Sequence, residues 1–570
     1  MGRCRGEPRS NVMPVTAELI GAGASRTRVV DYIAEHLARR GVRHLFGVDG
    51  ANIEDLYDAA DSCPGLTAVV AKHEFSAAAM ADAYSRAGAE IGVVIATSGG
   101  GALNTVPGLG ESFASRVPVL ALIGQPPRTL DGRGSFQDTS GVNGALDGEA
   151  LFSAVSVFCR RITAPADIIA ALPEAISAAT SVGGPAVLLL PKDVQQAVVA
   201  APGGEIGESS HRAGGDLADV VRLLRSAGGP VTILAGDQVV RDRARVELET
   251  LRAALNATIA VVPDAKDAAA APDTAILGVA GVMGHPTVAA ALSASALCLL
   301  VGTRLPLMAR GGLDAALEFL PIASIGSAAP YLPATHVHSD DLRAELTRLA
   351  EAVTEAELSS EAPRLRAGEL VPPAHDGPGV RYRDAMLALD AVLPADTDIV
   401  VDAGNIGAAA IHWLPARRDG RFLVALGMGG MGYSFGAGIG MAFARGRHTV
   451  VIAGDGSFFM HGMEIHTALH HRLPVTFILF DNHAHAMCVT REQLFYGDRY
   501  SYNRFGPSRL GAGLAAMFPA LPSVDVTDIG EFRVAIKAAL DADGPSVVSV
   551  DCSADEIPPF TAFLDQRESR

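Results

Sequence analysis

The chain is short of the features that would take it out of a reducing, aqueous compartment. Its six cysteines, at positions 4, 63, 159, 298, 488 and 552, form no C-x-x-C pair and no zinc-ligand spacing. That argues against a disulfide-stapled secreted scaffold and a structural zinc site, and fits free thiols. No apolar run reaches the length of a membrane span, and residues 1–10 lack the apolar core of a signal peptide. Gly6 stands where a myristoylation motif beginning at Gly2 requires Ser or Thr. Positive charge is also scarce: 46 Lys and Arg against 63 Asp and Glu give a net charge of −17. Nucleic acid and anionic membrane are therefore poor partners. An anionic cofactor stays open, because a metal ion and backbone amides can supply a local positive field. The expected location is the cytoplasm.

What the chain has in quantity is apolar sequence, 49% of 570 residues, enough for roughly three or four domain cores. Strand-length apolar runs alternate with helical patterns throughout, which predicts α/β architecture with parallel, doubly wound sheets. Two regions echo each other. Arg116-Val-Pro-Val-Leu-Ala-Leu-Ile123 is similar to Arg472-Leu-Pro-Val-Thr-Phe-Ile-Leu479, and Gly183-Gly-Pro-Ala-Val-Leu-Leu-Leu190 to Asp543-Gly-Pro-Ser-Val-Val-Ser-Val550. Within each half the two segments lie about 70 residues apart, the size of several α/β units. This predicts related domains at the two ends of the chain. Strand-like runs at 230–235, 259–262 and 297–301 predict a third domain between them. Polar stretches at 201–215 and 359–379 are the candidate linkers. The expected division is a loose tail at 1–25 and domains at 26–198, 216–352 and 378–556.

The most chemically specific segment is Gly454-Asp455-Gly456-Ser457, with Asn482 following Asp455 by 27 positions. A strand at 448–453 leads into it, a helix is expected over 460–471, and a second strand at 474–480 ends on Asp481-Asn482. In a parallel sheet an acid at one strand end and an amide at the next lie side by side. Carboxylate and amide oxygens are hard-cation ligands, and Mg²⁺ completes its shell with phosphate oxygens. The glycines allow backbone to approach a diphosphate closely. A competing signal is Gly427-Met-Gly429-Gly-Met-Gly432, a literal G-x-G-x-x-G after a strand-like 421–426. Alone it would read as a dinucleotide fingerprint of an NAD-dependent dehydrogenase. That reading leaves Asn482 and the repeat unexplained.

Taken together, these segments resemble the thiamin-diphosphate-dependent enzymes, specifically their acetolactate-synthase-like branch. Gly454-Asp455-Gly456 to Asn482 resembles the family's metal and diphosphate motif, with Asp481-Asn482 in place of the usual Asn-Asn. Phe46-Gly-Val-Asp-Gly50 resembles the first loop of the N-terminal domain, and His73-Glu74-Phe-Ser-Ala-Ala the segment carrying the catalytic glutamate. Thr97-Ser-Gly-Gly-Gly-Ala-Leu-Asn104 resembles the Gly-rich active-site loop, Ser135-Phe136-Gln137-Asp138 the Phe-Gln-Glu segment, 427–433 the Gly-Leu-Gly-Thr-Met-Gly-Phe segment, and 487–501 the C-terminal active-site stretch. The order is the family's.

The resemblance implies a pyrimidine-binding domain, a central Rossmann-like domain and a diphosphate-binding domain. It implies thiamin diphosphate and Mg²⁺, the metal held by Asp455, Asn482 and the carbonyl of Ala484. Gly50, Gly429, Gly430, Met431, Gly454, Gly456, Ser457, His485 and Met487 would line the cofactor, with Glu74 on its pyrimidine and Met431 supporting the bent ring pair. It implies decarboxylation of a 2-oxo acid such as pyruvate and transfer of the acyl carbanion to a second carbonyl. The unit would be a homodimer or homotetramer with active sites at the subunit interface. No histidine falls within 95–140, where pyruvate decarboxylases carry a His-His pair, and Gln137 stands there instead. This favours a carboligase over the alternative, a non-ligating decarboxylase releasing an aldehyde. His461, His483 and His485 remain as proton donors near the motif. Phe136, Gln137 and Arg491 are the expected substrate pocket, Arg491 replacing the acceptor-pocket Trp of acetolactate synthases. Gly302-Thr-Arg304-Leu-Pro-Leu-Met-Ala-Arg310 lacks the acidic pair of their FAD segment, so no FAD is expected.

Overall fold

The computed structural model describes residues 26–201, 214–269, 276–354 and 368–568. The expected tail, most of the first expected linker and residues 359–367 of the second lie outside them. Three six-stranded sheets, every strand parallel to its neighbours, form the body of the chain. The first runs Thr67–Val70, His44–Val48, Gly92–Ala96, Val119–Gln125, Pro185–Pro191, Phe158–Arg161 across its width. The last runs Phe422–Val424, Asp398–Val401, Thr449–Gly454, Val475–Asp481, Ser546–Asp551, Ser523–Val526. In chain order both read second, first, third, fourth, sixth, fifth. The echoed segments of the sequence are the fourth strands and the sixth strands of these two sheets, so the repeat is one of topology. The middle sheet runs Ile276–Val279, Thr258–Val261, Val231–Ala235, Leu297–Val301, Ile322–Gly326, Thr335–His338. Its order is third, second, first, fourth, fifth, sixth, the doubly wound arrangement.

The inner strands are unbroken apolar runs because helices cover both faces. Every residue of Val119–Gln125 and of Val475–Asp481 is buried. The two end domains meet through one helix each, Glu74–Arg86 and Tyr433–Arg445. The first is buried along its whole length. A Cβ at Gly436 would lie 2.4 Å from the Ser76 carbonyl oxygen, and one at Gly440 would lie 2.2 Å from that of Met80. Glycine at those two positions is what lets the backbones touch. The Tyr433 hydroxyl donates to Asp82, which also pairs with the buried Arg86 at 2.7 Å.

Two element boundaries differ from expectation. The helix expected over 460–471 starts at Asp455, runs to His461, tightens into a 3₁₀ turn at Gly462–Glu464 and resumes over Ile465–His470. Apolar periodicity marks only its later part, because the first turn is Asp-Gly-Ser. The break falls at Gly462, where a Cβ would lie 2.1 Å from the Phe458 ring. The strand expected over 421–426 shortens to Phe422–Val424 and sits at the sheet edge. Among the described residues no helix is long and apolar enough to cross a membrane.

Candidate active site

Thr449–Gly454 and Val475–Asp481 are neighbouring parallel strands, in register to Gly454 opposite Phe480. Asp455 and Asn482 therefore leave the sheet side by side. Asp455 is fully buried. Its Oδ2 accepts from the Ala484 amide at 3.1 Å, while its Oδ1 and the Oδ1 of Asn482 have no hydrogen-bond partner. Burial, then the nearby charge of Asp481, pushes the Asp455 carboxyl up to about 7. Asp481 is also raised, mainly by burial, with His483 opposing the rise. Its carboxylate accepts from Ser508 Oγ at 3.0 Å and lies 2.9 Å from His483 Nδ1. Two bare oxygens on adjacent strand ends, in acidic surroundings, are cation-ligand chemistry.

The loops above this pair leave a cradle. A Cβ on Gly456 would lie 2.5 Å from His485 Nδ1 and 3.3 Å from Met431 Cε, so only glycine fits between them. His485 packs edge-on against Phe505 and its Nδ1 has no partner. Half-buried Met431 belongs to the 427–432 loop, which two carboxylates hold by its amides. Asp402 accepts from Gly432 N at 3.1 Å, Ser434 N at 3.0 Å and Ser457 Oγ at 2.6 Å. Ser457 thus gives its hydroxyl hydrogen to Asp402. Glu111, on the helix Gly100–Ala114 of the first domain, accepts from Gly427 N at 3.1 Å and Met428 N at 2.6 Å. Gly429 is exposed with φ +65° and Gly430 packs on Phe75. These facts remove the dinucleotide reading of G-x-G-x-x-G: it follows an edge strand, and its first two amides are already bonded to a protein carboxylate.

Glu74 opens the helix Glu74–Arg86 and is buried. His73 caps the helix, its Nδ1 accepting from Phe75 N at 3.1 Å. Asn104 Nδ2 donates to Glu74 Oε2 at 2.9 Å, and a Cβ at Gly101 would lie 2.9 Å from Glu74 Oε1. The Gly-rich segment 97–104, expected as a loop, is a turn at 97–99 that leads into the helix Gly100–Ala114, and it is shaped around this carboxylate. Gln137 lies over the same loop with φ +61°. Its Oε1 accepts from Ser98 Oγ at 3.2 Å, and Asn52 Nδ2 donates to Ser98 Oγ at 2.7 Å. Gly50 abuts Thr97, where a Cβ would clash at 2.8 Å. The Glu74 helix reaches the metal half of the same chain through His461, whose ring lies 4.5 Å from that of Phe75 and 4.9 Å from that of His73. Lys72 N also donates to the buried Glu464 at 3.1 Å.

Two expected pocket residues, Phe136 and Arg491, and the expected cofactor residue Met487 stand apart from these clusters. Phe136 and Arg491 are exposed, and Arg491 makes no ion pair among the described residues. Met487 is half-buried on the helix Ala486–Tyr496 and packs toward Leu494 and Phe563. The 302–310 segment lines a separate cavity of about 180 Å³ beside the middle sheet, with Arg304 stacked 4.0 Å over Tyr331.

Residues 27–144 match the thiamine pyrophosphate enzyme N-terminal TPP binding domain, 217–353 the central domain and 402–550 the C-terminal TPP binding domain. This chain belongs to the thiamin-diphosphate-dependent enzymes. Its similarity lies with their acetolactate-synthase-like branch. The Escherichia coli acetolactate synthase isozyme 2 large subunit is 27% identical over 552 residues, covering 92% of this chain and 95% of that one. The chloroplastic acetolactate synthase of Arabidopsis thaliana is 27% identical over 587 residues, covering 94% and 83%. A solved Mycobacterium smegmatis chain assigned to the thiamin diphosphate enzymes superposes with a TM-score of 0.75 at 22% identity, over 92% of this chain and 99% of that one. That likeness is one of fold.

The residues of this thiamin-diphosphate enzyme fit a metal and a diphosphate. The test is the pair of unpartnered oxygens on Asp455 and Asn482 and the side-chain-free space at Gly456. Sequence reasoning passed over Asp402, Glu111 and the role of Asn104. Asp402 ends a strand as Asp455 does, and that was its one available signal. Glu111 and Asn104 sit inside a helix, where nothing local marks them.

Proposed function

We propose that the chain is a thiamin-diphosphate- and Mg²⁺-dependent carboligase that decarboxylates a 2-oxo acid and joins the acyl unit to a second carbonyl. The observation that carries this reading is the convergence of Glu74 and Gln137 on the single segment 97–104, through Asn104 and Ser98. Thiamin diphosphate, when bound, supplies the acyl-anion chemistry that lets a 2-oxo acid lose CO₂. Asp455, Asn482 and the Ala484 carbonyl would hold Mg²⁺, and Gly456 and His485 would meet the diphosphate. Glu74 would hold a proton at the pyrimidine N1′, its Oε2 fixed by Asn104. Gln137 would orient the second carbonyl by its amide. Met431 would support the rings.

A decarboxylase that releases aldehyde is the second reading, favoured by the ring contact of His461 with His73 beside Glu74. A proton donor is needed for that outcome. Burial, then His73, holds His461 down to about 4, so at neutral pH it carries no imidazolium proton to give. This supports ligation over aldehyde release.

The assembly belongs to the same proposal. Leu103 and Phe113 beside the Glu74 half, and Met428, Phe459 and Met460 beside the metal half, are exposed large apolar side chains. A homodimer, or a homotetramer built from it, would cover them and pair Glu74 of one chain with the diphosphate half of the other. Unpaired thiols at Cys63, Cys159, Cys298, Cys488 and Cys552 suit a cytoplasmic setting. The proposal includes no FAD, since the 302–310 segment lacks the acidic pair and Arg304 is engaged by Tyr331. Flavin absorbance in the purified protein would overturn that part.

The test is mass spectrometry of products from a panel of 2-oxo acids, with and without aldehyde or second 2-oxo acid acceptors. Ligated products are expected; free aldehyde alone would favour the second reading. In the same assay Glu74→Gln should cut CO₂ release at least about 100-fold, while calorimetry still detects cofactor binding. Unchanged turnover would refute the assignment of Glu74.

A further inference from the structure

We propose that Asp481 lets this protein bind its divalent cation before, and without, the diphosphate. The inference rests on the reading of Asp455 and Asn482 as cation ligands. It concerns the one position in that motif where an acid replaces the amide of the resembling family.

The argument is one of uncompensated charge. Asp455, Asp481 and Asp551 stand at the carboxyl ends of three neighbouring strands, with Asp481 directly opposite Asp551 in the ladder. Asp455 and Asp481 are both buried, and ligand-type oxygens of these two acids and a nitrogen of His483 lie within 4.8 Å of one another. Among the described residues the one basic side chain in ion-pair reach of them is His483, 2.9 Å from Asp481 and 4.0 Å from Asp551. Among the described residues no lysine or arginine pairs with Asp455, Asp481 or Asp551. Buried carboxylates without a counter-charge are costly, and a bound metal ion offsets that cost.

Two further observations make this a site and not merely an acidic cluster. Asp455 Oδ1, on a fully buried side chain, and Asn482 Oδ1 are bare. Asp481 is also held in place, its carboxylate accepting from Ser508 Oγ on the loop that follows Asn503 and Arg504. Its carboxylate is thereby kept within 4.8 Å of that of Asp455. A site with a single carboxylate depends on diphosphate oxygens to complete both the charge and the shell of a hard cation. A site with two needs the diphosphate less. Binding would then be ordered, the cation first and the anionic cofactor onto it.

The test uses the full-length protein stripped of metal with a chelator, with Mn²⁺ as the probe, at one pH. Free Mn²⁺ is measured by electron paramagnetic resonance with and without thiamin diphosphate. Wild type is expected to bind one Mn²⁺ per chain in the absence of the cofactor. Asp481→Asn, nearly isosteric, should bind it at least about tenfold more weakly there, equivalent to about 1.4 kcal/mol. With the cofactor present the two proteins should converge, which also shows that the variant is folded. Asp551→Asn removes the same charge from a more exposed strand end and should change affinity by less than about threefold. The inference is overturned if wild type takes up Mn²⁺ only with thiamin diphosphate, if Asp481→Asn matches wild type, or if Asp551→Asn is equally damaging. Those outcomes leave the proposed function standing. Absence of Mn²⁺ binding to wild type even with the cofactor would instead remove the parent reading.

Discussion

One oxygen of the Glu74 carboxylate is already spoken for by Asn104, at 2.9 Å in a part-buried setting. A hydrogen bond to a charged group is worth about 1.5–3 kcal/mol, and here it fixes where the other oxygen points. Asn104→Ala should lower turnover by about ten- to a hundredfold. The apparent affinity for thiamin diphosphate should change much less, because the diphosphate and metal half is untouched. Equal losses in both would mean that Asn104 only stabilises the loop. The same side chain shows what a sequence can and cannot disclose. Asp455 and Asn482 were legible because residue type, flanking glycines and strand-end spacing all pointed the same way. Asn104 was quoted within its loop but had no visible partner, since Glu74 lies 30 positions earlier in another element. Glu111 was less visible still: its value is the two amides it accepts 316 and 317 positions away.

Elements were legible where an apolar pattern marks them and not where polar chemistry does. Strands buried on both faces were found within a residue or so. The helix starting at Asp455 was placed too late, because its first turn is built for backbone approach and carries no apolar face. The G-x-G-x-x-G loop misled in the opposite direction: the local pattern was right for a dinucleotide, and only sheet order and Glu111 showed otherwise. The pairing of Glu74–Arg86 with Tyr433–Arg445 is the element-scale feature on which Glu74 depends. A methyl at Gly440 would meet the Met80 carbonyl oxygen at 2.2 Å, and backbone cannot rotate out of the way. Gly440→Ala is expected to destabilise by about 1–3 kcal/mol, the usual cost of overpacking, read as a lowered urea midpoint. Because the strain falls on the helix that carries Glu74, turnover should drop as well. A stability unchanged within error would mean the two helices are less closely packed than described.

At the scale of the molecule, the repeat revealed two like domains and the intervening strands revealed a third. How the three sit together was not legible, because each joint brings together residues far apart in the chain, Ser76 and Met80 against Gly436 and Gly440 among them. One such joint lies between the middle and last domains, where the rings of His285 and His412 stack at 4.4 Å. His285 Nδ1 accepts from Val279 N at 3.0 Å. His412 accepts from Leu370 N at 3.0 Å through Nε2, and its Nδ1 lies 3.0 Å from the Met283 carbonyl, to which it donates. Both rings serve as acceptors and so must stay neutral. Burial, then His412 and Lys266, holds His285 down to about 3, and burial lowers His412 too. In the unfolded chain both would titrate near 6.5. Below that pH the unfolded state takes up protons that the folded state refuses, so stability present above pH 6.5 is lost as pH falls. For His285 the loss is on the order of 2 kcal/mol by pH 5. Urea midpoints measured from pH 7.5 to 5 should therefore carry this loss in wild type, and His285→Asn should remove it and flatten any fall, since its amide oxygen can still accept from Val279 but cannot be protonated. Asp455 and Glu556, both raised to about 7 by burial, act in the opposite direction in both proteins. Part of the slope should remain in that variant, because burial also holds His36 and His44 down to about 4. A slope as steep in His285→Asn as in wild type would show that this joint does not set the acid limit of the fold.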